Sequence, residues 1–293
     1  MNNPSKSFYV GSRMLTIDDP KNNLSFAVVL HYPTLEKSTT VRFGPYLMDV
    51  SVDAIIAPGV FPVVIVSHGN SGSPFVYRTI STHLAARGYI VAMIEHYGNN
   101  RNDNTLADSL KNLEYRPLHL SFTIDGLIND SEIKPHCATD KIAVIGHSFG
   151  GYTALAAAGG SPYARTGELI STKKDSRIKA LVLMAPAAGY FSPEKALQEV
   201  NIPILLYTAS EDIYTPKQWT SDVILKGVPN TENVVLKEIK NAGHFSFLSP
   251  FPEAIANPNF LPATDPEGFD RAAFHQELPV AILHFLNEKL GIE

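Results

Sequence analysis

The chain has 293 residues, 44% of them hydrophobic and 18% charged, the composition of a packed globular protein and not of a disordered one. Lys and Arg total 24 against 29 Asp and Glu, a net charge of −5, and without a basic run the chain lacks the electrostatic footprint of a nucleic-acid binder. One cysteine, Cys137, excludes an internal disulfide and reads as structural, and no apolar run approaches the ~18 residues that span a bilayer. The polar start Met1–Lys6 has no apolar stretch behind it, so a soluble, cytoplasmic protein is expected.

Tyr9–Ile17 and Leu24–His31 flank the turn-rich Asp18–Asn23 and predict an antiparallel hairpin. Further on, Phe61–Val66, Tyr89–Ile94, Lys141–Ile145, Ala180–Met184 and Pro203–Tyr207 are apolar on successive positions, as strands covered on both faces are. Helices are expected between them. Ser73-Pro74 reads as an N-cap with proline in the first turn, followed by Val76, Ile80 and Leu84 and stopped by Gly88. Phe149–Ala158 is alanine-rich and ends in two glycines, and Pro279–Leu290 carries Val280, Leu283, Leu286 and Leu290 on one face. The alternation predicts an α/β fold: a mainly parallel twisted sheet after the hairpin, with helices on both faces. It reads as one domain over 1–293, with irregular excursions at about 98–120 and 249–271 covering a site.

Gly146-His147-Ser148-Phe149-Gly150 is a G-x-S-x-G between the apolar strand and the alanine-rich helix. A serine at a sharp strand-to-helix turn has a strained backbone, and small neighbours prevent collision with adjacent elements. Its hydroxyl then stands at the carboxyl end of the sheet, beside a helix N-terminus that favours negative charge. The competing reading is a plain glycine-rich turn; the flanking elements and the partners further along favour a nucleophile.

Those partners run acid, then histidine, in chain order. The strand Pro203–Thr208 leads into Ser210-Glu211-Asp212, and Asn233–Ile239 leads into Gly243-His244. Asp212 lies 64 residues beyond Ser148 and His244 a further 32, each roughly one or two βα units. His244 would carry the serine proton and Asp212 would fix its tautomer, with Glu211 as the alternative acid. Alone, Asp212 could be a turn residue and His244 a solvated one; their order and strand-end positions together select a triad. An oxyanion needs donors, assigned to the N–H groups of Phe149 and of Asn70 in the turn Ser67–Ser73, whose alternative role is a helix-capping loop.

His68, His96, His136 and His147 stand apart, without an H-E-x-x-H or paired Cys/His spacing, and neither a Walker nor a G-x-G-x-x-G pattern is present. No metal or nucleotide is expected. The aromatics Tyr190, Phe191, Tyr214, Trp219, Phe245, Phe247, Phe251 and Phe260 should fall in loops around the carboxyl ends of the strands and shape an apolar pocket.

These segments resemble the α/β-hydrolase superfamily, in particular the dienelactone-hydrolase-like esterases and the platelet-activating-factor acetylhydrolases. The resemblance rests on His68–Gly72, Leu84–Ala92, Glu95–Gly98, Arg116-Pro117, Ile145–Gly151 and Asp212, with Tyr32-Pro33 and Gly44–Tyr46 earlier. It implies a carboxylic ester hydrolase without a cofactor and supports Asn70 and Phe149 as oxyanion donors. Two departures stand out. Dienelactone hydrolases use a cysteine where this chain has Ser148, and the acetylhydrolase acid follows an earlier strand, where Ala185–Gly189 offers no carboxylate. The expected function is serine hydrolysis, with water, of a small-molecule ester, bulky or cyclic, including lactones such as macrolides. The alternatives are a short-chain acyl esterase or acetylhydrolase, an amidase or thioesterase, and a non-catalytic ligand-binding homologue.

Overall fold

The computed structural model describes residues 7–292; the Met1–Lys6 segment lies outside them. Among the described residues ten strands form one sheet: β1 (Tyr9–Asp19), β2 (Leu24–Thr34), β3 (Thr39–Phe43), β4 (Tyr46–Val52), β5 (Phe61–Ser67), β6 (Ile90–Ile94), β7 (Cys137–His147), β8 (Ile178–Met184), β9 (Ile204–Ala209) and β10 (Val234–Ile239). Their spatial order is β10-β9-β8-β7-β5-β6-β2-β1-β4-β3, and every pairing from β6 through β10 is parallel. The expected hairpin is present, β1 and β2 pairing from Tyr9↔Thr34 to Asp19↔Leu24. A second hairpin, β3 with β4, extends that edge. β4 alternates buried with exposed positions and β3 has no buried residue, so the two strands lack the continuous apolar runs of the central sheet.

Among the described residues five α-helices accompany the sheet: α1 (Arg78–Ala86), α2 (Leu110–Asn129), α3 (Phe149–Ala157), α4 (Ser221–Gly227) and α5 (Arg271–Leu290). Strand side chains alternate between two layers. Val63, Ile65, Val144 and Leu183 pack with Leu120 and Ile124 of α2, Leu155 of α3 and Ile224 of α4. Val64, Val66, Ile145 and Val182 pack with Ile80 and Leu84 of α1 and with Ile282 and Phe285 of α5. Helices thus cover both faces, as the unbroken apolar strands require.

Three helices differ from the sequence reading. Ser73-Pro74 opens a 3₁₀ turn over Pro74–Tyr77, and Ser73 makes no side-chain cap; α1 starts only at Arg78. α5 begins well before Pro279 because Asp270 caps it, accepting from the Ala273 N–H at 2.9 Å. Its inward face is Leu278, Ile282, Phe285 and Leu286, and Val280 is exposed. The stretch 98–120 divides into irregular chain and the first half of α2, a helix that the internal Pro117 had disguised. Proline removes the N–H that Leu113 O would have accepted, and the Tyr152 hydroxyl of α3 donates to that oxygen instead, at 2.9 Å.

Candidate active site

Because β10, β9, β8, β7 and β5 are parallel neighbours, the residues that follow them emerge along one edge in the same order: His244, Asp212, Ala185, Ser148 and the loop 67–72. Ser148 has φ 54° and ψ −119°, a left-handed conformation that costs a non-glycine residue about 1–3 kcal/mol. Its main chain is held on both sides. The N–H donates to Met184 O (3.0 Å), and the carbonyl accepts from Gly151 N–H (2.9 Å) and Ala187 N–H (2.8 Å). A Cβ on Gly150 would run into the Ser67 carbonyl, and one on Gly146 into Gly150, so the turn can close only on glycine.

His244 Nε2 lies 2.8 Å from Ser148 Oγ, and its Nδ1 lies 2.8 Å from Asp212 Oδ2. A carboxylate only accepts, so Nδ1 carries the hydrogen and Nε2 of the neutral ring is free to accept the serine proton. Asp212 also accepts the N–H groups of Tyr214 (2.8 Å) and Thr215 (2.9 Å) and the Thr215 hydroxyl (2.7 Å). Burial alone would raise the pKa of this carboxyl. The hydrogen bonds from His244 and Thr215 outweigh burial and hold it below the ordinary carboxylate value. Glu211 is exposed and accepts from the Ser210 hydroxyl (3.1 Å), with no bond to His244 among the described residues.

The loop after β5 presses against the elbow, where a Cβ on Gly69 would lie 3.3 Å from Ser148 Cβ. Among the described residues the N–H groups of Asn70 and Phe149 have no acceptor, and both residues border the cavity over Ser148. A hydrogen-bonded chain ties this loop to His244. The His244 carbonyl accepts from His147 Nε2–H (2.9 Å), His147 Nδ1 accepts from the Tyr77 hydroxyl (3.0 Å), and Tyr77 accepts from the Gly69 N–H (3.3 Å). Burial pulls the His147 pKa down to about 3 and keeps the ring neutral, as that chain needs.

Below the loop lies Arg116 of α2, fully buried. Its guanidinium donates to His68 O, to Asn99 Oδ1 (2.8 Å), to Thr153 Oγ1 (3.1 Å) and to Ser67 Oγ (3.3 Å). Its central carbon also sits 4.8 Å from the centroid of the Phe149 ring. Asn99 in turn donates to the Asn70 side chain at 2.8 Å, so Arg116 supports both residues whose N–H groups are free. Among the described residues no carboxylate pairs with it, and burial lowers its pKa to about 9, which still leaves it a cation at neutral pH. Burial and then the Arg116 charge push the pKa of His68 and His119 down to about 3, and that of His96 well below its ordinary value.

The structure therefore brings together Ser148, Asp212, His244, Asn70 and Phe149. Roles for Thr215, Tyr77, Asn99 and His147 were not legible in the sequence, and Arg116 was named there only within the resemblance. A cavity of about 750 Å³ opens over Ser148. Of the aromatics expected there, Tyr190, Tyr214, Phe245, Phe251 and Phe260 line it; Phe191 and Phe247 are core residues instead.

A family model for chlorophyllase matches residues 44–211, more than half of the chain. The chain belongs to the chlorophyllase family. The chlorophyllase match takes in the loop 67–72, Arg116 and the elbow and ends one residue before Asp212. A bis(hydroxyethyl) terephthalate hydrolase of Streptomyces coelicolor is 24% identical over 227 residues, 72% of this chain and 64% of that protein. Cutinase est1 of Thermobifida alba is 23% identical over 188 residues, 64% of this chain and 54% of that protein. The chain thus spans less than two thirds of the length of these curated relatives. A ferulic acid esterase structure from Streptomyces cinnamoneus superposes with a TM-score of 0.73 at 20% identity, over 99% of this chain and 93% of that one. The fold of this chlorophyllase-family chain is that of an α/β-hydrolase. Among the described residues no helix is long and apolar enough to cross a membrane.

Proposed function

We propose that the protein hydrolyses carboxylic esters through a serine acyl-enzyme. The observation that carries this reading is the pair of 2.8 Å hydrogen bonds linking Asp212, His244 and a serine held at positive φ. Ser148 Oγ attacks the ester carbonyl as its proton passes to His244 Nε2. The oxyanion accepts the free N–H groups of Asn70 and Phe149, with the fixed charge of Arg116 behind them. His244 then gives its proton to the departing alkoxide, which leaves as the alcohol. Water, deprotonated by the same nitrogen, attacks the acyl-enzyme, and Ser148 regains its hydrogen as the acid leaves. Asp212 stays ionised throughout, favoured by its hydrogen bonds from His244 and Thr215.

The substrate is a bulky ester, open-chain or cyclic. A cavity of about 750 Å³ supports this reading, and so do the aromatic acids in the names of the terephthalate hydrolase and the ferulic acid esterase. Ser148→Ala is expected to lower kcat by about 10⁴–10⁶-fold and to abolish labelling by a fluorophosphonate. A variant that keeps most of its activity removes Ser148 from the mechanism. A panel of aryl esters, long and short acyl esters, thioesters, amides and large lactones on the wild-type protein identifies the bond and the size preferred.

A further inference from the structure

A second cavity, of about 720 Å³, adjoins the first. The two share Arg165, Tyr190, Tyr214 and Thr215, so they are halves of one cleft with Ser148 and His244 in the first half. The second half is walled by Tyr163, Tyr190, Tyr214 and Trp219, and no Asp or Glu lines it. Its one charged lining residue, Arg165, has no ion pair among the described residues.

Both walls are built. Arg165 stands at the tip of a tight hairpin closed by the bridge Tyr163↔Leu169, by Ala164 N–H to Glu168 O (2.8 Å) and by Gly167 N–H to Ala164 O (2.9 Å). That hairpin is fastened to the neighbouring wall by Tyr163 N–H to Tyr190 O (2.7 Å). Opposite, Trp219 closes a 3₁₀ turn, donating its N–H to Pro216 O (2.9 Å), and the Thr220 hydroxyl donates to Thr215 O (2.6 Å). The turn is thus fixed to the same residue that bonds Asp212. Trp219 is 56% exposed, and Tyr214 is 48% exposed. Large ring faces left open beside a reactive hydroxyl favour a flat aromatic guest. Asp108 lines the first half of the cleft, but Arg165 makes no ion pair with it among the described residues; its unpaired planar fork favours an anionic substituent on that guest and suits a carboxylate.

We propose that this second cavity is the subsite for the far end of the ester, and that this end is an aromatic ring bearing a carboxylate. The assignment rests on the ester-hydrolase reading of Ser148 and narrows it to a substrate class. The chain has a single tryptophan, Trp219, so its emission reports this wall and no other.

The test uses the full chain with Ser148→Ala, titrated with 4-nitrobenzoate and with its neutral counterpart 4-nitrobenzamide while Trp219 emission is followed. Saturable quenching by both is expected, with the benzoate binding about fivefold more tightly, the scale of an exposed charge pair. Arg165→Gln in the same background should equalise the two ligands, and Arg165→Lys should keep part of the difference, because the charge stays and the fork goes. Absence of saturable quenching, equal binding of the two ligands, or a preference that survives Arg165→Gln each overturns the subsite. Binding is read without turnover, so failure of the ester-hydrolase reading appears separately, as undiminished activity in Ser148→Ala.

Discussion

The two flanks of Ser148 handle charge in opposite ways. On the β9–β10 side an anion, Asp212, is buried against an imidazole and surrounded by donors that keep it ionised. On the β5 side a cation, Arg116, is buried among neutral acceptors, a carbonyl, an amide and two hydroxyls, with histidines that its presence helps keep neutral. A pair on one flank and an unanswered charge on the other give the hydroxyl between them a directed field. On the proposed mechanism the acid flank prepares a group to receive a proton, and the basic flank prepares a place for negative charge to gather.

Substitutions on each flank separate the two contributions. Asp212→Asn should have the largest effect, a fall in kcat of about 10⁴-fold with little change in KM, because the amide holds His244 in the wrong tautomer. Steady-state kinetics decides this, and a decrease under tenfold would return the acid role to another residue.

The buried histidines make the fold sensitive to pH. His31 and His275 are lowered to about 4 by burial, and His68, His119 and His147 to about 3, so the folded chain stays unprotonated where the unfolded chain, titrating near 6.5, does not. Their contribution is fully present above about pH 6.5 and is lost as pH falls towards 4 and 3. Thermal unfolding followed between pH 7.5 and about pH 4 should show a midpoint that drops steeply, with several protons taken up on unfolding. A flat midpoint over that range would mean that these rings are protonated in the fold.

Arg116→Met should lower kcat by about 10–100-fold and destabilise the fold by about 1–3 kcal/mol, since His68 O and Asn99 lose their donor. Denaturant melts beside kinetics separate the two effects. If kcat is unchanged, the charge on that flank has no part in the reaction. Thr215→Val should cost about tenfold in kcat, because Asp212 loses the hydroxyl that donates to it beside His244, and steady-state kinetics on the variant checks this. Glu211→Gln, one residue from Asp212 but solvent-facing, should stay within about twofold of wild type.

Much of the acid flank was legible in the sequence, because Ser148 and Asp212 follow apolar strands, His244 follows a mostly exposed edge strand closed by a glycine turn, and chain order ranks all three. The basic flank was not. The inward stripe of α2 places Asn112, Arg116, His119 and Thr123 among Leu113, Pro117, Leu120, Ile124 and Leu127, so four of its nine buried residues are polar and the apolar period is broken. Pro117 completes the disguise. Nor could spacing reveal Thr215 or Tyr77, whose bonds depend on loops that pack from distant parts of the chain. The β3–β4 hairpin was missed for the opposite reason: β3 is exposed or half-buried throughout and β4 is buried only on alternate residues, which leaves too little apolar signal to stand out from a loop.

The proline in α2 leaves behind more than an interrupted ladder. Its vacated carbonyl is the point at which the helix that starts behind Ser148 takes hold of the helix that bears the guanidinium. A defect in one element has become a rivet between two. Removing the single oxygen of Tyr152 would strand that carbonyl in an apolar layer and let the two helices slide against each other, loosening from a distance the N–H groups proposed as oxyanion donors.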